Sequence, residues 1–146
     1  MPLITRSALV AYRPQELFAL VNDVESYPQY LPYCVEARVL ARTDDEVMAR
    51  IAFSRLGITR GVTTRNRLAA PHRLDIELVE GPFAKLAGSW HFQPLGDVGS
   101  KVVFEVDYEV DTQVVQLVAG MAIGEAAGLA VDAFQKRAAQ LYGKRV

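Results

Sequence analysis

The chain has 146 residues, of which 51% are hydrophobic, so it is long enough for one domain with a substantial core and too apolar to stay disordered. Sixteen Lys and Arg against seventeen Asp and Glu leave a net charge of −1, which excludes a simple nucleic-acid-binding polycation. One cysteine, Cys34, excludes an internal disulfide, and one cysteine with two histidines argues against a zinc site.

The opening MPLITRSALV has no charged n-region ahead of a long apolar segment. No signal peptide is expected, and the expected location is cytoplasmic, with room for peripheral contact at the inner membrane. Leu3 to Val10 alternates and predicts a first strand, which ends before Tyr12-Arg13-Pro14. Pro14 suits the first turn of a helix reaching about Asn22, with Leu17, Phe18 and Val21 on its apolar face. Pro28 and Pro32 then limit the aromatic segment Asp23 to Cys34 to a short helix at most.

Strands are predicted over Val35 to Arg42, Val47 to Arg55 and Ile58 to Leu68, the first two joined by the polar turn Thr43 to Glu46. In the last of these, Thr64 and Asn66 fall in phase with Ile58, Val62 and Leu68. Two polar side chains are thus aimed at an apolar interior, where they need partners. A fifth strand follows over His72 to Glu80, and Gly81-Pro82 closes its hairpin. Phe83 to Pro94 reads as a loop plus a sixth strand, and Lys101 to Asp111 alternates most clearly of all.

The stretch from Gln113 to Tyr142 predicts one long helix, with Leu117, Gly120, Gly124, Ala127, Val131, Phe134, Ala138 and Leu141 on its inner stripe. Each glycine inside a helix costs about 1 kcal/mol relative to alanine, so Gly120, Gly124 and Gly128 need a reason. Glu125 and Gln116 speak against a membrane span. Two readings stay open: close packing on the sheet, or room for a ligand between helix and sheet. Strand, helix, six strands and a long helix make an α+β domain, residues 1–146, with helices on one side of an antiparallel sheet.

Several segments carry a family resemblance: Leu17 to Pro28, Tyr30-Leu-Pro-Tyr-Cys34, Thr63-Thr-Arg-Asn66, Glu80 to Phe92 and Ala133 to Gly143. Through these the chain resembles the coenzyme Q-binding START-like family, within the polyketide cyclase/dehydrase-like superfamily, which includes the bacterial RatA-type ribosome-association toxins. The resemblance implies a helix-grip fold, a curved seven-stranded antiparallel sheet around a long C-terminal helix, with an apolar tunnel between them. It also implies ubiquinone or a related polyprenyl lipid as ligand, in a carrier or chaperone supporting respiratory electron transfer. The alternative it implies is a toxin that binds the large ribosomal subunit and blocks subunit association.

The residues themselves favour binding over catalysis. No Gly-x-Ser-x-Gly, His-Glu-x-x-His or P-loop pattern is present, and no catalytic residue, metal or cofactor is assigned. Phe18, Tyr30, Leu31, Phe53, Leu78, Phe83, Leu86, Trp90, Phe104, Tyr108, Leu117 and Met121 are the inward candidates for a ligand wall, together with Gly124. Phe83 and Leu86, near Gly81, Pro82 and Gly88, are expected at a mobile lip. Six arginines from Arg50 to Arg73, with no acid between them, make a candidate basic patch. Arg55, Arg60, Arg65 and Arg67 would there meet RNA phosphates or anionic lipid headgroups, unless cross-strand acids such as Asp75 and Glu77 neutralise them.

Overall fold

The computed structural model describes residues 3–110 and 113–144, with the backbone alone over 114–120. The chain runs β1 (Leu3–Val10), α1 (Pro14–Asn22), a 3-10 helix (Val24–Gln29), β2 (Cys34–Arg42), β3 (Glu46–Arg55), β4 (Ile58–Ala69), β5 (Arg73–Glu80), β6 (Phe83–Leu95), β7 (Gly99–Val110), α2 (Val114–Gly128) and α3 (Ala130–Tyr142). Pro14 opens α1 as expected. The Glu16 side chain turns back to accept the Arg13 N–H at 3.0 Å, closing the first turn, and Leu17, Leu20 and Val21 are buried.

All seven strands join one antiparallel sheet in the order β1-β7-β6-β5-β4-β3-β2. Only the first strand is out of sequence, paired with the last from Leu3↔Asp107 to Val10↔Ser100. Register shifts in β2, between β4 and β5, and at Phe83/Lys85 in β6 mark the bulges that let such a sheet curve. The concave face receives α2 and α3, which is the expected helix-grip arrangement.

Two expectations are corrected. Phe83 to Pro94 contains no loop: β6 starts at Phe83, whose ring is 7% exposed and held against Tyr108 at 5.9 Å, so it does not form a mobile lip. The long helix is broken at Leu129. Its N–H is shared between the Glu125 and Ala126 carbonyls, both at 3.2 Å, and α3 starts on the next residue. Gly128, a weak helix former, sits directly before the break.

The break divides the labour of the two segments. Both segments contact β1, but α2 reaches β3, β4 and β7, while α3 packs on α1. The far end is fastened by two tyrosine hydroxyls, Tyr12 donating to the Gly143 carbonyl and Tyr142 to the Glu16 carbonyl, each at 3.0 Å. Leu141, expected on the inner stripe, is 51% exposed beside this fastening. No helix among the described residues is long and apolar enough to cross a membrane.

Candidate functional site

Between the concave face and the two C-terminal helices lies a cavity of about 120 Å3. β3 and β4 supply one wall through Ile51, Phe53, Val62, Thr64 and Asn66. α2 and α3 supply the opposite wall through Ile123, Ala126, Ala127, Ala130 and Phe134. The space on the helix side therefore comes from alanines. Gly124 serves another purpose: a Cβ there would stand 2.5 Å from the Tyr108 hydroxyl, so this glycine permits close packing of α2 on β7.

Aromatic rings fill one end of the cavity. Phe134 meets Tyr27, Tyr30 and Trp90 edge-on, with ring centroids 5.4, 5.3 and 5.1 Å away, and Trp90 stacks on Phe104 at 4.2 Å. Tyr27 donates its hydroxyl to the Val21 carbonyl. Burial pushes its phenol well above the ordinary range, aided by nearby Tyr30, Cys34 and Asp23. Burial also raises Tyr30, with Asp23 adding to the effect and Arg137 opposing it. The buried Tyr30 hydroxyl has no hydrogen-bond partner among the described residues.

The polar pair anticipated on β4 is present. Thr64 and Asn66 are each 6% exposed, and the Thr64 hydroxyl donates to Asn66 Oδ1 at 3.0 Å. That bond satisfies one end of the carboxamide only. Asn66 Nδ2 donates to no protein group among the described residues, and Asn66 lines the cavity.

Of the side chains expected at a ligand wall, Leu31, Phe53, Leu86, Trp90 and Phe104 line this cavity. Others belong to the surrounding core: Phe18 stands edge-on to Phe92 at 6.3 Å, Tyr30 lies against Phe134, Leu78 lies beside Gly81, and Phe83 and Tyr108 pack on each other. Met121 is 61% exposed, contrary to its expected inward placement, because it sits one helical turn from Glu125 on the outer face of α2. Leu117 falls outside the described side chains. Thr64, Asn66, Ile76 and Phe134 line the cavity without having been singled out as wall residues. The alternation of β4 was the signal for the first two, and the helical stripe for Phe134.

Three of the four arginines of the candidate basic patch, Arg55, Arg65 and Arg67, meet acids. Arg65 bridges Glu46 at 3.0 Å and Glu77 at 3.7 Å, and Arg67 reaches Glu77 at 3.4 Å, on the face of β4 away from the cavity. Arg60 donates to the Thr59 carbonyl at 2.8 Å. Arg55 pairs instead with Glu125 of α2, whose other oxygen accepts the Tyr33 hydroxyl at 2.9 Å. The Arg55 guanidinium carbon also lies 5.2 Å from the centre of the Tyr33 ring, so the three side chains clasp α2 to the end of β3. Acids from β3, β5 and α2 thus pair with Arg55, Arg65 and Arg67, while Arg60 has only a backbone carbonyl.

Reactive chemistry has little to work with here. Burial pushes the Cys34 thiol up to about 11, against a smaller lowering by the Glu36 carbonyl, so it stays protonated near neutrality. Among the described residues, no group of three or more His, Cys, Asp and Glu is gathered as a metal would need.

Comparison with known proteins agrees with this architecture. A family model described as polyketide cyclase/dehydrase and lipid transport matches residues 10–135. The ribosome association toxin RatA of Escherichia coli K12 is 40% identical over 145 residues, covering 99% of this chain and 92% of that protein. The mitochondrial coenzyme Q-binding protein COQ10 of Drosophila melanogaster is 26% identical over 103 residues, 69% of this chain and 43% of that one. A START superfamily protein from Mycobacterium smegmatis superposes with a TM-score of 0.78 at 22% identity, over 95% of this chain and 98% of the other.

Proposed function

This chain belongs to the polyketide cyclase/dehydrase and lipid transport family, and from that membership we propose that it is a non-enzymatic factor acting on the association of ribosomal subunits. The observation that carries the proposal is the 40% identity to RatA, spread over 99% of this chain rather than confined to one motif. The cavity wall supports a non-enzymatic reading. Its lining includes no histidine, carboxylate or cysteine, and the Tyr27 hydroxyl is occupied by the Val21 carbonyl. General acid–base chemistry lacks its groups there.

The test is sedimentation of purified ribosomes with and without the added chain, at a magnesium concentration that keeps most subunits joined. The expected result is a dose-dependent loss of joined ribosomes in favour of free subunits. An unchanged profile at an excess of protein overturns the ribosomal reading.

A second reading is favoured by the cavity, namely binding of an apolar ligand such as a polyprenyl quinone, in keeping with the similarity to COQ10. At about 120 Å3 the cavity is well below the roughly 300–1,000 Å3 of drug-sized sites. It suits a ring or a short chain, and a long polyprenyl tail would extend beyond it. Native mass spectrometry of gently purified protein tests this: near-stoichiometric quinone supports the reading, and an empty protein that refuses added quinone removes it.

A further inference from the structure

Thr64 and Asn66 stand side by side on β4 in an otherwise apolar wall, each 6% exposed. The Thr64 hydroxyl occupies Asn66 Oδ1 at 3.0 Å and so decides which end of the carboxamide is left over. What is left over is Nδ2, with two N–H donors and no partner among the described residues. The neighbouring wall residues Leu74, Ile76, Val106, Ala126 and Ala130 offer no side-chain acceptor. The fold has therefore placed an unspent donor where only a ligand or a water can use it.

We propose that the ligand of this cavity carries a carbonyl-type oxygen, as in a ketone, quinone or ester, and that this oxygen accepts a hydrogen bond from Asn66 Nδ2. Thr64 is the positioning residue that fixes the amide. The proposal rests on the ligand-binding reading of the cavity given above and adds the chemistry its occupant must have. A pure hydrocarbon leaves the amide unsatisfied. An ionised headgroup is disfavoured, because no lysine or arginine lines the cavity to offset its desolvation.

Two probes of matched shape separate these cases: 2,3-dimethyl-1,4-naphthoquinone and 2,3-dimethylnaphthalene, which differ in the quinone oxygens. Each is titrated into the full 15N-labelled chain, and both the dissociation constant and the Asn66 side-chain amide signals are followed by NMR. The quinone is expected to bind about 10-fold tighter than the hydrocarbon and to move the Asn66 amide signals, which the hydrocarbon leaves in place. Asn66→Leu is expected to level the two affinities while keeping the hydrocarbon within about 3-fold of wild type, and Thr64→Val to shrink the preference. Equal affinities in the wild type, an unmoved amide with quinone bound, or a preference that survives Asn66→Leu overturns the proposal. If neither probe binds, the cavity reading itself falls; hydrocarbon binding without a quinone preference overturns the oxygen anchor alone. Should Asn66→Leu fail to fold, the wild-type amide shift and Thr64→Val decide the matter.

Discussion

Phe134 is where the aromatic packing converges, its ring edge-on to Tyr27, Tyr30 and Trp90 within 5.4 Å of each centroid. It joins α3 to the sheet and to the 3-10 helix at once. Phe134→Ala should therefore cost about 3–5 kcal/mol, read as a lower urea midpoint at unchanged slope. A loss under about 1 kcal/mol would mean that the neighbouring rings collapse into the vacated space. At the same scale the sequence was legible wherever a side chain had a simple phase. Thr64 and Asn66 were placed correctly by alternation alone, whereas Met121 was not, since a helix with only Gln116 and Glu125 among apolar residues gives a weak phase to read.

α2 is held by few specific contacts, and the Arg55, Glu125 and Tyr33 clasp supplies polar ones. Exposed ion pairs are worth about 0.2–1 kcal/mol, so Glu125→Ala should barely change global stability while letting α2 open more often. Hydrogen exchange is expected to quicken over α2 and to remain as in wild type over β7. Equal protection of α2 in both proteins would show that apolar packing alone holds it. The elements themselves were readable in sequence where turns and prolines punctuate them, as at Pro14 and Gly81-Pro82. The break at Leu129 was not, because Gly120, Gly124 and Gly128 look alike in sequence and only contact with Tyr108 tells Gly124 apart. The pairing of Arg65 and Arg67 with Glu77 was open in sequence as a cross-strand pair, whereas that of Arg65 with Glu46 needed the sheet register to bring it close.

Across the whole molecule, three buried protons make folding sensitive to alkali. Burial raises Tyr27, Tyr30 and Cys34 in the folded state, so on a pH increase the unfolded chain gives up these protons first. Their stabilisation is complete below the unfolded values, about 8.5 for cysteine and about 10 for tyrosine, and is lost as pH climbs toward the folded ones. Urea midpoints should hold steady from neutrality to about pH 8.5 and then fall, by up to about 1.4 kcal/mol per pH unit for each group titrating. A midpoint that stays level to pH 11 would mean that these groups ionise as easily in the folded chain as in the unfolded one.

The pairing of β1 with β7 sets the order of events when the chain is made. Leu3 must wait for Asp107 before it has a partner. At about 5–20 residues per second of synthesis, the first strand spends several seconds outside the exit tunnel with its edge open while β2 to β6 assemble as successive hairpins. The sheet cannot be completed until β7 emerges, and α2 and α3 are the last helices to arrive. Every nascent copy thus passes through a stage in which the cavity has a floor and no roof, still tethered to a translating ribosome.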